Sequence, residues 1–322
     1  MGNQIGSPKK DSSLPRDKSL KLSRRNKYAA LWAKKLIKKS YDDICGEYKT
    51  LRATAVPPII SDPHPGQLRL NRYRDIICIE KTRVVLKDRP ESNNYIHANW
   101  VDINENARFI ITQGPMQSTI EDFWEMVFTE KIHAILMLCS LCEEGLIKCA
   151  EYWPQHINDV KVFGEFRVEN VFASLSHSPK VTTSELMVTY KGKQHTLRHY
   201  QWQDWPDDDI PKDLDFPFKL LDQAMGSMTG EGDIGLLESQ GPTLVHCSAG
   251  IGRSGTCAAL YLARYALIEE NSELKFYEKP QNSKSLMYSE SEPIRLYARM
   301  SSEIFDGSKM GGIVTLLPEM AR

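Results

Sequence analysis

The stretch Val245–Thr256, VHCSAGIGRSGT, constrains this 322-residue chain more than any other. The apolar pair Leu244–Val245 reads as the end of a buried strand. Gly250, Gly252 and Gly255 follow within six residues, and the Ala-rich apolar run Cys257–Ile268 is long enough for a buried helix. A strand that enters a helix through so short a glycine turn belongs to an α/β architecture. The turn directs several backbone N–H groups inward, and the helix adds the positive end of its dipole. Together they make an anion site.

Cys247 opens this loop and Arg253 closes it, with five residues between them. The loop amides and the guanidinium favour negative charge, so they are expected to hold Cys247 as a thiolate, the form that attacks at neutral pH. Arg253 offers a planar fork to two oxygens at once, which the compact ammonium of Lys cannot match. His246 and Ser254 are placed to hydrogen-bond around the sulfur. A lone Cys beside a glycine turn is more often a buried structural thiol. His, Cys, three Gly and Arg in this order point to chemistry instead.

VHCSAGIGRSGT resembles the signature loop of the cysteine-based protein tyrosine phosphatases, in their tyrosine-specific, non-receptor, single-domain branch. The resemblance implies a twisted mixed sheet with helices on both faces and the phosphate loop between a strand and the central helix. It makes Cys247 the nucleophile. Ser248, Ala249, Gly250, Ile251, Gly252 and Arg253 become the cradle for the phosphoryl oxygens, with His246 and Ser254 positioning the sulfur.

The likeness runs from about Tyr41 to Phe305. Leu70–Ile76, LNRYRDI, departs from the family's K-N-R-Y-x-D only at its first position. It implies that Tyr73 stacks on the substrate ring and that Asp75 accepts hydrogen bonds from the substrate backbone. A tyrosine wall makes a deep, flat-sided slot suited to a long aromatic phosphoester. Further blocks are NNYIHANW, FIITQGP at Phe109–Pro115, Asp122, Phe123, Trp124, Met126 and Val127, and Lys148, Cys149, Tyr152, Trp153 and Pro154. Lys148 is expected to reach toward the acid loop, while Glu144 stands where relatives often carry Lys.

That acid loop is HYQWQDWPDDDIP, His199–Pro211. Cleavage of a phosphate ester needs a proton for the departing oxygen. The motif assigns it to Asp207, with Trp205 as the anchor and Pro206 limiting the backbone. Asp208 and Asp209 stand where the family has an aromatic or His and then Gly, at an expected cost in backbone freedom. Alone, those two read as a solvated turn. Further on, the family's Q-T-x-x-Q segment positions the hydrolytic water, and here Ser289 and Pro293 occupy the glutamine places.

Composition is consistent with this reading. The chain is 41% hydrophobic, enough for a sizeable core, yet no apolar run nears the ~20 residues that span a bilayer. Seven cysteines at irregular spacing suggest reduced thiols in the cytoplasm. Cys139 and Cys142, at the end of the expected strand Ala134–Leu138, read as packing. The net charge of −1 conceals a split: residues 1–40 hold twelve Lys/Arg and two Asp, so +10, against −11 for the rest.

Three regions follow: a basic arm over 1–40, a catalytic domain over 41–305 and a short tail over 306–322. Residues 1–26 read as disordered. Met1-Gly2 begins like a myristoylation signal, but Gly6 stands where Ser or Thr is required. Tyr28, Leu31, Trp32 and Leu36 share a helical face among lysines. That face either docks on the catalytic body or lies on an anionic membrane. The expected partners are phosphotyrosine proteins, with no nucleic acid, metal or cofactor, and the chain is expected to be a monomer. A phosphotyrosine-binding module with impaired turnover is the alternative; dual specificity is disfavoured by the Tyr73 slot.

Overall fold

Four parallel strands form the centre of the sheet, and each hands its C-terminal end to a functional segment. The computed structural model describes residues 30–54, 68–87, 89–104, 107–177, 179–207, 209–225 and 241–265. Its strands are β1 Arg83–Val85, β2 Tyr95–Asn104, β3 Ala107–Thr112, β4 Ala134–Met137, β5 Cys142–Glu143, β6 Leu146–Ile147, β7 Val160–Phe163, β8 Phe166–His177, β9 Lys180–Tyr190, β10 Lys193–Trp202 and β11 Thr243–His246. The helices are α1 over residues 30–37, α2 Tyr41–Thr54, α3 Ile120–Thr129, α4 Phe216–Ala224 and α5 Arg253–Arg264.

Nine strands lie in the order β1-β2-β3-β11-β4-β10-β9-β8-β7, and β5-β6 forms a separate hairpin. β11 runs parallel to both β3 and β4, and β4 runs parallel to β10. All residues of β4 and β11 are buried. Strands covered on both faces lose their alternation and read as short apolar runs. Phe109 of β3 meets Tyr261 of α5, ring centroids 5.4 Å apart. Phe123 of α3 meets His246 of β11 at 6.1 Å. Phe109 is in register with Thr243, and Thr243 and His246 point to opposite sides of their strand. Helices therefore cover both faces of the sheet.

Lys191 and Gly192, with φ of 47° and 75°, make a two-residue turn between β9 and β10. β9 begins at Lys180, where it pairs with His177 of β8. Phe172 and Leu175 stand half exposed there, so the apolar-polar alternation that marks a covered strand is missing. α4 carries Pro217 in its first turn, where the missing N–H costs no helical bond. In α1, Trp32, Ala33 and Leu36 are buried, whereas Leu31 and Ile37 are exposed.

One reading is corrected. Cys139 is buried but Cys142 is exposed, so the two do not pack together. β4 ends at Met137 and the chain turns outward into the β5–β6 hairpin.

Candidate active site

Cys247 leaves β11 at the same sheet edge where β3, β4 and β10 end. Parallel strands present ligand sites at this edge because the connecting loops gather there. The loop is fastened to its neighbours by backbone contacts. Leu138 N–H donates to the His246 carbonyl at 2.8 Å, and Gly114 N–H to that of Ser248 at 2.9 Å. Gly250 has φ +79°, and a Cβ there would lie 2.5 Å from the Thr112 carbonyl. At Gly114 a Cβ would come within 2.6 Å of the Cys247 carbonyl. Only glycine permits either approach.

Arg253, the first residue of α5, is nearly inaccessible. Its Nη1 donates to Glu143 Oε1 at 2.8 Å and to the Trp205 carbonyl at 3.0 Å, and its Nη2 donates to Glu143 Oε2 at 3.0 Å. Burial opposes the guanidinium charge, but the Glu143 hydrogen bonds prevail and the pKa is raised. Nε of Arg253 and Oγ of Ser254 are buried without a hydrogen-bond partner among the described residues. Sequence reasoning missed Glu143. Its side chain is delivered by the β5–β6 hairpin, whose turn residues Glu144 and Gly145 both have positive φ, 50° and 78°. A two-residue Glu-Gly turn between short strands was the signal available.

Asp207 sits between two cations. Oδ2 accepts from Lys148 Nζ at 2.6 Å, and Oδ1 lies 3.2 Å from Arg253 Nη2. Burial opposes the Lys148 charge, yet the Asp207 hydrogen bond raises its pKa. Trp205 is buried against Trp202, centroids 5.2 Å apart, and its Nε1–H donates to the Asp209 carbonyl at 3.0 Å.

His246 acts on the loop through the backbone. Its Nδ1 faces the Cys247 carbonyl at 3.1 Å, and its Nε2 lies 2.7 Å from Tyr152 Oη, which is also 2.7 Å from His199 Nε2. A carbonyl only accepts, so the neutral His246 ring carries its proton on Nδ1. Tyr152 therefore donates to His246 and accepts from His199 Nε2–H. Burial pushes the His246 pKa down to about 4 and the Tyr152 pKa up. His199 also lies well below the ordinary histidine value, through burial and the neighbouring His246.

The Leu70–Ile76 segment closes the other side. Asn71 is buried and accepts from Tyr95 Oη at 2.7 Å. Arg72 donates from Nε to the Gly114 carbonyl at 3.1 Å, from Nη2 to Pro115 at 2.7 Å and from Nη1 to Ile147 at 3.3 Å. Tyr73 Oη lies 2.9 Å from Ser248 Oγ, which donates to the Lys148 carbonyl at 3.1 Å. Tyr73 is therefore the donor to Ser248. Asp75 is exposed.

The structure thus brings together Cys247, Ser248, Arg253, Asp207, Lys148, His246 and Tyr73. Ala249 and Gly252 are half-buried and Gly250 and Ile251 buried within the loop. Ser289 and Pro293 lie outside the described residues.

The sequence profile described as protein-tyrosine phosphatase matches residues 67–287. The chain belongs to the protein-tyrosine phosphatase family. Tyrosine-protein phosphatase 1 of Dictyostelium discoideum is 36% identical over 208 residues, which are 60% of this chain and 39% of that protein. Tyrosine-protein phosphatase non-receptor type 20 of Rattus norvegicus is 33% identical over 242 residues, 74% of this chain and 54% of that protein. The chain thus spans about half or less of these curated relatives. A solved PTPN18 structure, concerned with distinct HER2 tyrosine phosphorylation sites, covers 91% of this chain and 99% of its own with a TM-score of 0.73 at 21% identity. This likeness establishes the phosphatase fold. Among the described residues no helix is long and apolar enough to cross a membrane.

Proposed function

We propose that this chain hydrolyses phosphotyrosine in proteins in two steps through a cysteinyl-phosphate. The carrying observation is the convergence of Asp207 and Arg253, 3.2 Å apart, on the loop that opens with Cys247. The names of the relatives at 33% and 36% identity support tyrosine as the esterified residue.

In the first step the Cys247 sulfur attacks phosphorus. The phosphorus–oxygen bond to tyrosine breaks, and Asp207 protonates the departing tyrosyl oxygen. Arg253 and the amides of Ser248 through Gly252 stabilise the charge on the equatorial oxygens. In the second step water attacks phosphorus, Asp207 takes the water proton and the sulfur leaves. Tyr73 lines the slot that receives the ring, and Asp75 accepts from the substrate backbone. Ser254 and His246 serve the sulfur, the latter through the Cys247 peptide. We read the catalytic unit as 41–305, after a basic arm.

Steady-state turnover of matched phosphotyrosine and phosphothreonine peptides tests the reading. Hydrolysis confined to the tyrosyl ester, and abolished in a folded Cys247→Ser variant, is expected. A tenth of wild-type turnover surviving in that variant would refute the nucleophile. A second reading, binding without turnover, is favoured by Ser289 and Pro293 in the places of the glutamines. Phosphotyrosine binding with no product would establish it.

A further inference from the structure

The β5–β6 hairpin carries an apolar side chain with no role in the fold described above. Glu143 and Leu146 are cross-strand partners, and such partners share a face of the hairpin. Lys148, two residues after Leu146, falls on that face as well. Glu143 grips Arg253 and Lys148 grips Asp207, so this is the face turned to the catalytic groups. Leu146, opposite Glu143 and two residues before Lys148, stands 63% exposed. The hairpin itself is held by polar bonds: Arg253 to Glu143, Lys148 to Asp207, and Arg72 to the Ile147 carbonyl. None of them needs a leucine at 146.

Glu144, exposed at the hairpin tip, stands two positions before Leu146 in the same turn. An apolar spot beside an acidic group matches a peptide with an apolar side chain and a cation.

We propose that Leu146 is a specificity-determining residue: an apolar ledge at the mouth of the cleft, against which an apolar side chain adjacent to the substrate phosphotyrosine packs, with Glu144 meeting a Lys or Arg of the same peptide. This rests on the phosphotyrosine reading above and narrows it to one substrate class. The ledge contacts the peptide and not the phosphoryl group, so it acts on peptide affinity and leaves the chemical step to Cys247, Arg253 and Asp207.

The test compares the 322-residue chain with its Leu146→Ser variant on two phosphotyrosine peptides. One carries Leu beside the phosphotyrosine and Lys beyond it; the other carries Ser and Glu. Affinity is measured separately with the same peptides bearing a non-hydrolysable phosphonate, which requires no turnover. The wild type is expected to prefer the Leu-Lys peptide by ~3- to 10-fold in both affinity and kcat/KM, from partial burial of one leucine. Leu146→Ser should remove that preference by raising KM while kcat for the same peptide holds. Glu144→Gln should weaken only the lysine contribution. Equal affinities of the wild type for the two peptides overturn the ledge. So does a Leu146→Ser variant whose kcat falls with a small aryl phosphate as much as with the peptide, because the leucine then supports the acid loop. Preferential phosphonate binding without turnover of either substrate upholds the ledge and refutes hydrolysis.

Discussion

Arg253 and Glu143 meet as a two-point pair, Nη1 to Oε1 at 2.8 Å and Nη2 to Oε2 at 3.0 Å. The pair fixes the plane of the guanidinium while its Nε is buried and finds no partner among the described residues. An arginine held in this way reaches an incoming phosphoryl group already oriented, and little side-chain freedom remains to be lost on binding.

Glu143→Gln preserves the shape but removes the countercharge from a buried guanidinium. Breaking a buried pair at one partner costs about 3–5 kcal/mol; the amide oxygen of Gln still accepts one hydrogen bond, so a loss of ~2–3 kcal/mol is expected. Urea unfolding of the full chain measures it. The kcat/KM for a phosphotyrosine peptide should fall by ~10- to 100-fold. Unchanged stability with unchanged turnover would show that the pair is incidental.

Asp207→Ala should slow a tyrosyl ester by ~10²–10⁴-fold. An ester with a strongly acidic leaving group needs less protonation, so its loss should be smaller. Steady-state rates on both substrates decide this, and equal losses would mean that Asp207 does not donate that proton. Asp208→Ala as the more damaging change would shift the acid by one position.

The His199–Tyr152–His246 chain sets a pH dependence of stability. His246 is buried and neutral with its pKa lowered from 6.5 to about 4, and His199 is lowered in the same direction. Between those pH values the unfolded chain binds more protons than the folded one, so stability rises with pH there. The contribution is complete above about pH 6.5 and is lost as pH falls through about 4. A loss on the order of 3 kcal/mol from His246 alone is expected. Urea midpoints at several pH values check it. A His246→Asn variant should show a shallower dependence in this window, and an equal slope would assign the titration elsewhere.

In the proposed two-step reaction, formation of the cysteinyl-phosphate would rely on Cys247, Arg253 and Asp207, whereas its breakdown would rely on a water that the family resemblance assigns to two glutamines. Ser is too short for that place at 289, and Pro293 offers no side-chain donor. Misplacing a reacting group by about an ångström costs ~10²-fold. Rapid mixing should therefore show a burst of dephosphorylated product near one equivalent, followed by a slow steady rate. Single-phase fast turnover would mean that Gln281 or another group orients the water.

Much of the site was legible because its chemistry demands unusual local sequence. A glycine turn between strand and helix, with Cys and Arg at its ends, has few other uses, and Trp-Pro before Asp207 separates that carboxylate from a solvated turn. Glu143 was not legible. One acid of a Glu-Glu pair carries no chemical pattern of its own; the Glu-Gly turn after it signals a hairpin but not its partner, and its role exists only once that turn brings β6 back along β5. His199 likewise reads as an ordinary strand position until Tyr152 arrives from a different segment. The outer end of β8 carries no apolar-polar alternation to announce it, because Phe172 and Leu175 stand half exposed there. The exposed Cys142 shows the converse, a thiol at packing distance in sequence that the turn of the chain carries to the surface.

The close backbone approaches at Gly114 and Gly250 divide the cleft into two kinds of material. On one side the loop that opens with Cys247 is welded to the ends of β3 and β4, with no room for a methyl group, so it inherits the stiffness of the sheet. On the other side the Tyr73 segment, the β5–β6 hairpin and the acid loop are moored by individual side chains, chiefly Arg72, Glu143 and Lys148. The first side acts as an anvil that tolerates almost no revision. Diversification of such an enzyme is therefore confined to the moored side, where residues can be exchanged one at a time while the bond-breaking centre stays as it is.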